Sequence, residues 1–246
     1  VRYLHHFYDP IYNRGLVMED KDIAKNPELA LIAGGIKSEW SSAKDWAENT
    51  KLQGGVINTA GILKNYFSGA SDYSWDRAIY EYTRRDKNRG LETLGHILHL
   101  LEDMTVPDHT RNDPHPPNLD TSPYESWTKK FNAQNINIVD KLGSQKPILL
   151  PNLNEYFDKL ANYSNNNFFS QDTIINKDYT KPIIIYWENK KLGDGLIYNF
   201  GYSQNGYKLL ADRGSGWKTL IESRYIINDP DDLILSDYWS LLSKQA

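Results

Sequence analysis

Apolar residues recur at three- and four-residue intervals through most of the first half of the chain, which predicts helices there. The clearest run is Leu91, Leu94, Leu98 and Leu101, a spacing that predicts a helix over Leu91–Met104 with those leucines as its buried stripe. Pro107 is expected to close it. Upstream, "NPELALIAGGIKSEWSSAKDWAENTK" reads as helical, starting at Pro27 and breaking at Gly34-Gly35. "INTAGILKNYF" and "SWDRAIYEYTRRD" read as two further helices, the second capped by Ser74. The Asp9-Pro10 step and Gly15 mark a turn after the opening "HHFYDP". "TRNDPHPPNLDTSP" reads as a loop, after which "YESWTKKFNAQNINIVDKL" resumes helical spacing.

After Pro151 the pattern changes. "NEYFDKLANYS" keeps a helical period, as does the tail "DDLILSDYWSLLSKQA". "KPIIIYWENKKLGDGLIYNFGYS" instead has β-branched and aromatic runs around Gly-Asp-Gly, the pattern of a β-hairpin. The expectation is one mainly α, multi-helix domain over residues 1–246. Residues 151–246 form its divergent part and carry a small β-hairpin insertion.

Composition narrows the function classes. Hydrophobic residues make up 39% and charged residues 24%, the balance of a soluble globular chain. No apolar run reaches the roughly 18 residues of a membrane-spanning helix. A net charge of −4 supplies no general field for a nucleic-acid backbone. The absence of cysteine excludes disulfides and thiolate ligation. The chain starts at Val1 with no leader before it, so it is expected to have been processed, with an N-terminal piece of the natural protein absent.

Histidine placement points to a site. All six lie between His5 and His115. In "LGHILHLLEDMTVPDH", His99 and Asp103 are four apart and share a helix face. His109 follows beyond Pro107, then Asp113, His115, Asp120 and Glu125. Imidazole and carboxylate are what zinc accepts when thiolate is lacking. A His-Asp pair at this spacing is usually a plain ion pair, so the signal lies in the whole set.

These residues carry a resemblance. "LGHILHLLEDMTVPDHTRND" is similar to the metal-binding helix and loop of the zinc-dependent phospholipases C, relatives of the fungal single-strand nucleases. His99, Asp103, Pro107 and His109 match in register, with Asn112. "HHFYDP" resembles the same family's His-Phe-aromatic-Asp-Pro motif and makes His6 a ligand; "SPYESW" resembles its Glu segment and makes Glu125 one. The match spans about residues 5–127 and implies a bacterial member.

The resemblance implies two or three zinc ions. His6, His99 and Asp103 would hold one, with Asp103 bridging as the catalytic carboxylate; His109 and Glu125 would hold another. The family's remaining histidine falls at Thr121 here, and His115 is the candidate replacement. Ligands that the family carries before its His-Phe motif have no counterpart in the five residues preceding His6, so their segment is expected to be missing. His5, Asp9, Asn112 and Asp113 are assigned supporting positions around the ligands. His96 reads as structural, Glu102 as a solvated charge and Asp45 as a surface residue. The tryptophans and tyrosines read as packing.

The implied activity is zinc-dependent phosphodiester hydrolysis, a metal-activated water attacking a phospholipid headgroup, with the substrate at a membrane surface. The alternatives are a single-strand nuclease or nucleotidase on the same cluster, less favoured by the charge, or a metal-stabilised, non-catalytic binding protein. Family members are exported, so a secreted or extracytoplasmic location is implied too.

Overall fold

The computed structural model describes residues 5–18, 38–53, 72–115, 121–130, 146–215 and 223–245. Of the helical stretch expected over residues 26–51, residues 26–37, with Pro27 and the Gly34-Gly35 break, lie outside the described residues and Ser38–Glu39 is a strand; the helix expected over 57–67, Asp120 and residues 131–145 also lie outside them. The chain divides into two compact units, Val1–Met104 with Pro151–Ala161, and Thr105–Leu150 with Asn162–Ala246.

In the first unit, strands β1 (Val17–Met18) and β2 (Ser38–Glu39) pair antiparallel. Helices α1 (Ala43–Glu48), α2 (Trp75–Arg84) and α3 (Lys87–Asp103) follow. Each starts at a polar cap. Ser42 accepts from the Asp45 amide, Ser74 from the Arg77 amide, and Asp86 from those of Asn88 and Arg89. Ser42 Oγ also donates to the Asp45 carboxylate, so Asp45 belongs to a cap.

The buried stripe of α3 is not the one the leucines suggested. Leu91 and Leu98 are 54% and 48% exposed, whereas Gly90, Thr93, Ile97, Leu100 and Asp103 are buried. The reason is the approach of α2. A Cβ at Gly90 would stand 2.7 Å from the Tyr82 backbone nitrogen, so only glycine permits this helix contact. Docking through Gly90 turns Leu91, about 100° round the helix, toward solvent. It also puts a carboxylate, Asp103, at the end of the buried face.

Glu81 is buried between α2 and α3 and pairs with Arg77 and Arg89. Ile97, Leu100 and Met104 pack with Tyr8, Ala43, Ala47, Ala78, Phe157 and Ala161. Tyr8 is also tied by polar contacts. Its hydroxyl donates to Asp158 at 2.5 Å, and Lys44 Nζ donates to both, at 2.8 and 2.9 Å. Burial, reinforced by the Asp158 contact, pushes the Tyr8 hydroxyl up to about 12. The strip bearing His6 is thereby anchored two residues downstream.

In the second unit, Pro107 opens a helix where it was expected only to close one. α4 (Pro107–Thr110) places it in the first turn, where its missing N–H costs nothing. α5 (Pro123–Thr128) follows, then α6 (Leu153–Asn167), whose last residues belong to this unit. Strands β3 (Tyr186–Lys191), β4 (Ile197–Tyr202), β5 (Lys208–Asp212) and β6 (Tyr225–Ile226) form one antiparallel sheet in that order, and α7 (Leu233–Leu242) ends the unit. Phe168, Phe169, Tyr198, Phe200, Leu209, Leu210, Ile234 and Tyr238 are among its core.

The mainly α expectation is therefore corrected. Of the described residues 43% are helical and 14% are in strands, with a four-stranded sheet in place of a lone hairpin. The Gly-Asp-Gly hairpin forms as read, with Gly195 at φ +82°. A second turn at Asn205-Gly206, with Gly206 at φ +77°, carries the chain back into β5. No described helix is long and apolar enough to cross a membrane.

Arg111 is fully buried and spans much of this unit's interior. Its guanidinium donates to Thr173 Oγ1 at 2.7 Å and to the carbonyls of Asn165, Phe168 and Thr180. It also lies 5.0 Å from the Tyr179 ring centroid.

Candidate metal centre

The first unit brings together His6, His99 and Asp103. The helix period stacks His99 above Asp103, and the anchored strip lays His6 beside them. Asp103 Oδ2 is 3.1 Å from His6 Nδ1 and 3.8 Å from His99 Nε2. The two imidazoles meet edge to face, with centroids 4.9 Å apart. Asp103 is buried and the His99 side chain is 56% exposed, so the carboxylate is shielded while one imidazole is open to solvent. A pocket opens there, lined by His6, Trp46, Gln53, Tyr73, His96, His99 and Leu100.

The second unit brings together His109, His115 and Glu125. His109 Nε2 is 3.2 Å from His115 Nε2 and 3.4 Å from Glu125 Oε1; His115 Nε2 is 3.5 Å from Glu125 Oε2. Zinc binds N and O donors at about 2.0–2.2 Å, which puts the edges of a tetrahedral site near ~3.4 Å. The His109–His115 and His109–Oε1 separations are close to that edge, His115 faces the other Glu125 oxygen, and both histidines are buried. One ligand atom from each residue lies within 4.8 Å of the others.

Backbone and neighbouring side chains hold these ligands. His115 Nδ1 donates to the Asp113 carbonyl at 2.8 Å, which fixes its tautomer and leaves Nε2 for the cluster. Ser122 caps α5. Its Oγ accepts from the Glu125 amide at 3.2 Å and donates to Asp108 Oδ2 at 2.9 Å. One hydroxyl thus ties the Glu125 backbone to the carboxylate beside His109.

The electrostatics fit ligands that exchange protons. For Glu125, burial alone would raise the pKa, but His115, His109 and Lys129 outweigh it and hold the carboxylate down at about 2. For His115, burial alone would lower the pKa, but Glu125 and Asp108 lift it to about 9. Burial raises the buried Asp108 carboxyl, and burial together with Asp108 and Asp172 raises that of Asp113 to about 8.

All six ligand candidates therefore fall into two clusters. Thr121 is exposed, and the loop histidine His115 lies with His109 and Glu125. The supporting assignments fare unevenly. His5 stacks on Trp46 at 3.9 Å and bonds Ser41, and burial lowers its pKa. Asp9 accepts from the Ile11 amide and pairs with Arg14, so it shapes the Asp-Pro turn. Asn112 takes φ 46°, a turn position that asparagine tolerates. Asp113 accepts from His115 through its carbonyl, and its carboxylate accepts from the Asp172 amide. His96 lies against Tyr73, with centroids 4.1 Å apart.

Two supporting residues went unread in the sequence. Ser122 was legible, since "SPYE" is a Ser-x-x-Glu capping pattern. Asp108 carried no local signal. Comparison with known protein families, curated proteins and solved structures finds no match.

Proposed function

We propose that this chain is a zinc-dependent phosphodiester hydrolase of phospholipase C type, acting on a phospholipid headgroup outside the cytoplasm. The observation that carries the reading is the His109–His115–Glu125 triangle of residues, whose two Nε2 atoms lie 3.2 Å apart and 3.4 and 3.5 Å from Glu125 Oε1 and Oε2 respectively. Mutual repulsion of two buried imidazole lone pairs and a carboxylate makes such a triangle costly unless a proton or a cation sits among them. Substrate class and location rest on the resemblance of the two motifs.

The residues fit the ion. His109, His115 and Glu125, whose ligand atoms all lie within 4.8 Å of one another, would hold one zinc, and His6 and Asp103, with His99 open to solvent beside them, would hold another. Bound zinc supplies Lewis acidity toward a phosphoryl oxygen and a more acidic water. The chain's own part is orientation. The Asp113 carbonyl aims His115 and the Ser122 hydroxyl places the helix carrying Glu125. Asp103 is the assigned catalytic carboxylate, shielded at the end of α3 with both imidazoles of its cluster beside it.

The test is elemental analysis of the zinc-reconstituted chain, followed by hydrolysis of a soluble choline phosphodiester and of single-stranded DNA. Zinc lost in His109→Ala and in His99→Ala, with cleavage of the choline ester, supports the reading. Cleavage of DNA alone would replace it with the nuclease. Bound zinc with neither activity would leave a metal-stabilised binding protein, and no bound zinc would sink the proposal.

A further inference from the structure

The β3–β4 hairpin exposes an unusual amount of apolar surface. All six residues of β3 are exposed, and β3 is the edge strand of its sheet. Ile183 is 75% exposed and Ile197 65%, and Ile185, Tyr186, Trp187 and Leu196 are exposed with them. Lys191 pairs with Ile197 across the two strands, so both share a face with Trp187, two pleats away. Lys181 is also exposed and precedes the apolar run, whereas Lys190 alternates to the other side of β3.

The acids of this hairpin are turned elsewhere. Glu188 lies on the opposite side of β3 from Trp187 and Lys191 and hydrogen-bonds Tyr202. Asp194 accepts from the Tyr198 hydroxyl at 2.7 Å and from the Leu196 amide at 3.0 Å. The Trp187–Lys191–Ile197 face therefore presents isoleucine, tryptophan and ammonium with no hairpin carboxylate beside them. Tryptophan and tyrosine favour the level of lipid headgroups, aliphatic side chains enter the acyl boundary, and lysine stems reach out to anionic phosphates. The whole chain is acidic, at −4, so attraction to an anionic surface is local to this element.

We infer that the β3–β4 hairpin docks the protein on an anionic lipid bilayer surface, with Trp187, Ile185 and Ile197 at the headgroup boundary and Lys191 against lipid phosphates. The inference rests on the phospholipid reading above, in that it gives that substrate a surface to be met on. A second copy of the chain pairing along the β3 edge is the competing occupant. The two lysines on that edge disfavour it, since like charges would be brought together.

The experiment is co-sedimentation of the zinc-loaded chain with phosphatidylcholine vesicles, with and without phosphatidylserine. Parent, Trp187→Ala/Ile197→Asn and Lys191→Glu are compared, and each is also assayed on a soluble choline phosphodiester. The parent is expected to sediment with phosphatidylserine vesicles. The reversed lysine should weaken this by roughly fivefold or more, and added salt should weaken it further. Hydrolysis of the soluble ester should be unchanged in both variants. A parent that stays in solution, or variants that bind like it, overturns docking while ester hydrolysis keeps the proposed activity. A parent dimer that the Trp187→Ala/Ile197→Asn variant dissociates, without vesicle binding, assigns the surface to a second copy and overturns the inference. Vesicle binding without ester hydrolysis overturns the activity and leaves docking standing.

Discussion

His109 and His115 point their Nε2 atoms at each other across 3.2 Å in a buried site. The Asp113 carbonyl occupies His115 Nδ1–H, so a neutral His115 offers only a lone pair at that contact. A proton or a metal ion must mediate it, and the two compete for one position.

His115 is therefore expected to matter as much as His109. His115→Ala should reduce zinc affinity at this cluster by roughly 100-fold or more, beyond the effect of losing an outer-shell partner. Thr121→Ala should leave affinity unchanged, because residue 121 is exposed. Zinc titration by calorimetry distinguishes the two. Equal affinity in parent and His115→Ala would remove His115 from the ligand set.

Removing the Ser122 hydroxyl cuts two bonds at once. Ser122→Ala should cost about 1 kcal/mol for the lost cap and a further ~1–3 kcal/mol for the buried Asp108 oxygen left without this donor. Zinc affinity should fall by roughly 10–100-fold, as for other outer-shell losses. Ser122→Thr keeps the hydroxyl and should restore most of both. Urea unfolding with and without zinc reads the two effects separately.

The pH dependence of the metal-free protein follows from His115 and Glu125. The folded-state pKa of His115 is raised from 6.5 to about 9, so its contribution is complete below 6.5 and is lost as pH rises through 9. That of Glu125 is lowered from 4.5 to about 2, so its contribution is present above 4.5 and is lost as pH falls through 2. Together they stabilise the metal-free chain most between pH 4.5 and 6.5. Asp113, raised from 3.8 to about 8, adds stability at low pH that erodes across that interval. Zinc affinity should rise with pH up to about 9, as His115 gives up its proton. Thermal melts against pH, with and without chelator, check both slopes. A metal-free stability that climbs from pH 7 to 9 would contradict them.

Gly90→Ala tests the helix contact that set the face of α3. Alanine would gain about 1 kcal/mol in helix propensity, but its Cβ would meet the Tyr82 backbone at 2.7 Å, and backbone does not yield as a side-chain tip does. Overpacking should win, with a net loss of ~1–3 kcal/mol. A variant as stable as the parent would show that α2 and α3 can separate at this point at no cost.

The sequence alone determined the local elements whose signals are local. Ser74 caps α2 as read, the Gly-Asp-Gly hairpin forms, and both the α6 segment and the tail are helical, because caps and turns depend on a few neighbouring residues. The ligand types and the i,i+4 pairing of His99 with Asp103 were equally legible, being set by helix period. Tertiary structure decided the rest. Leu91, Leu94, Leu98 and Leu101 have ideal spacing for a buried stripe, yet a glycine contact with α2 rotated α3 and buried Thr93, Ile97 and Asp103 in preference. Spacing could not show that His115, ten residues before Glu125, would lie against it, because that depends on how the loop folds back. Nor could it show Asp108 beneath Ser122, or strands β5 and β6 completing the sheet. Each of these is a contact between distant positions, selected by the burial and polar pairing it allows.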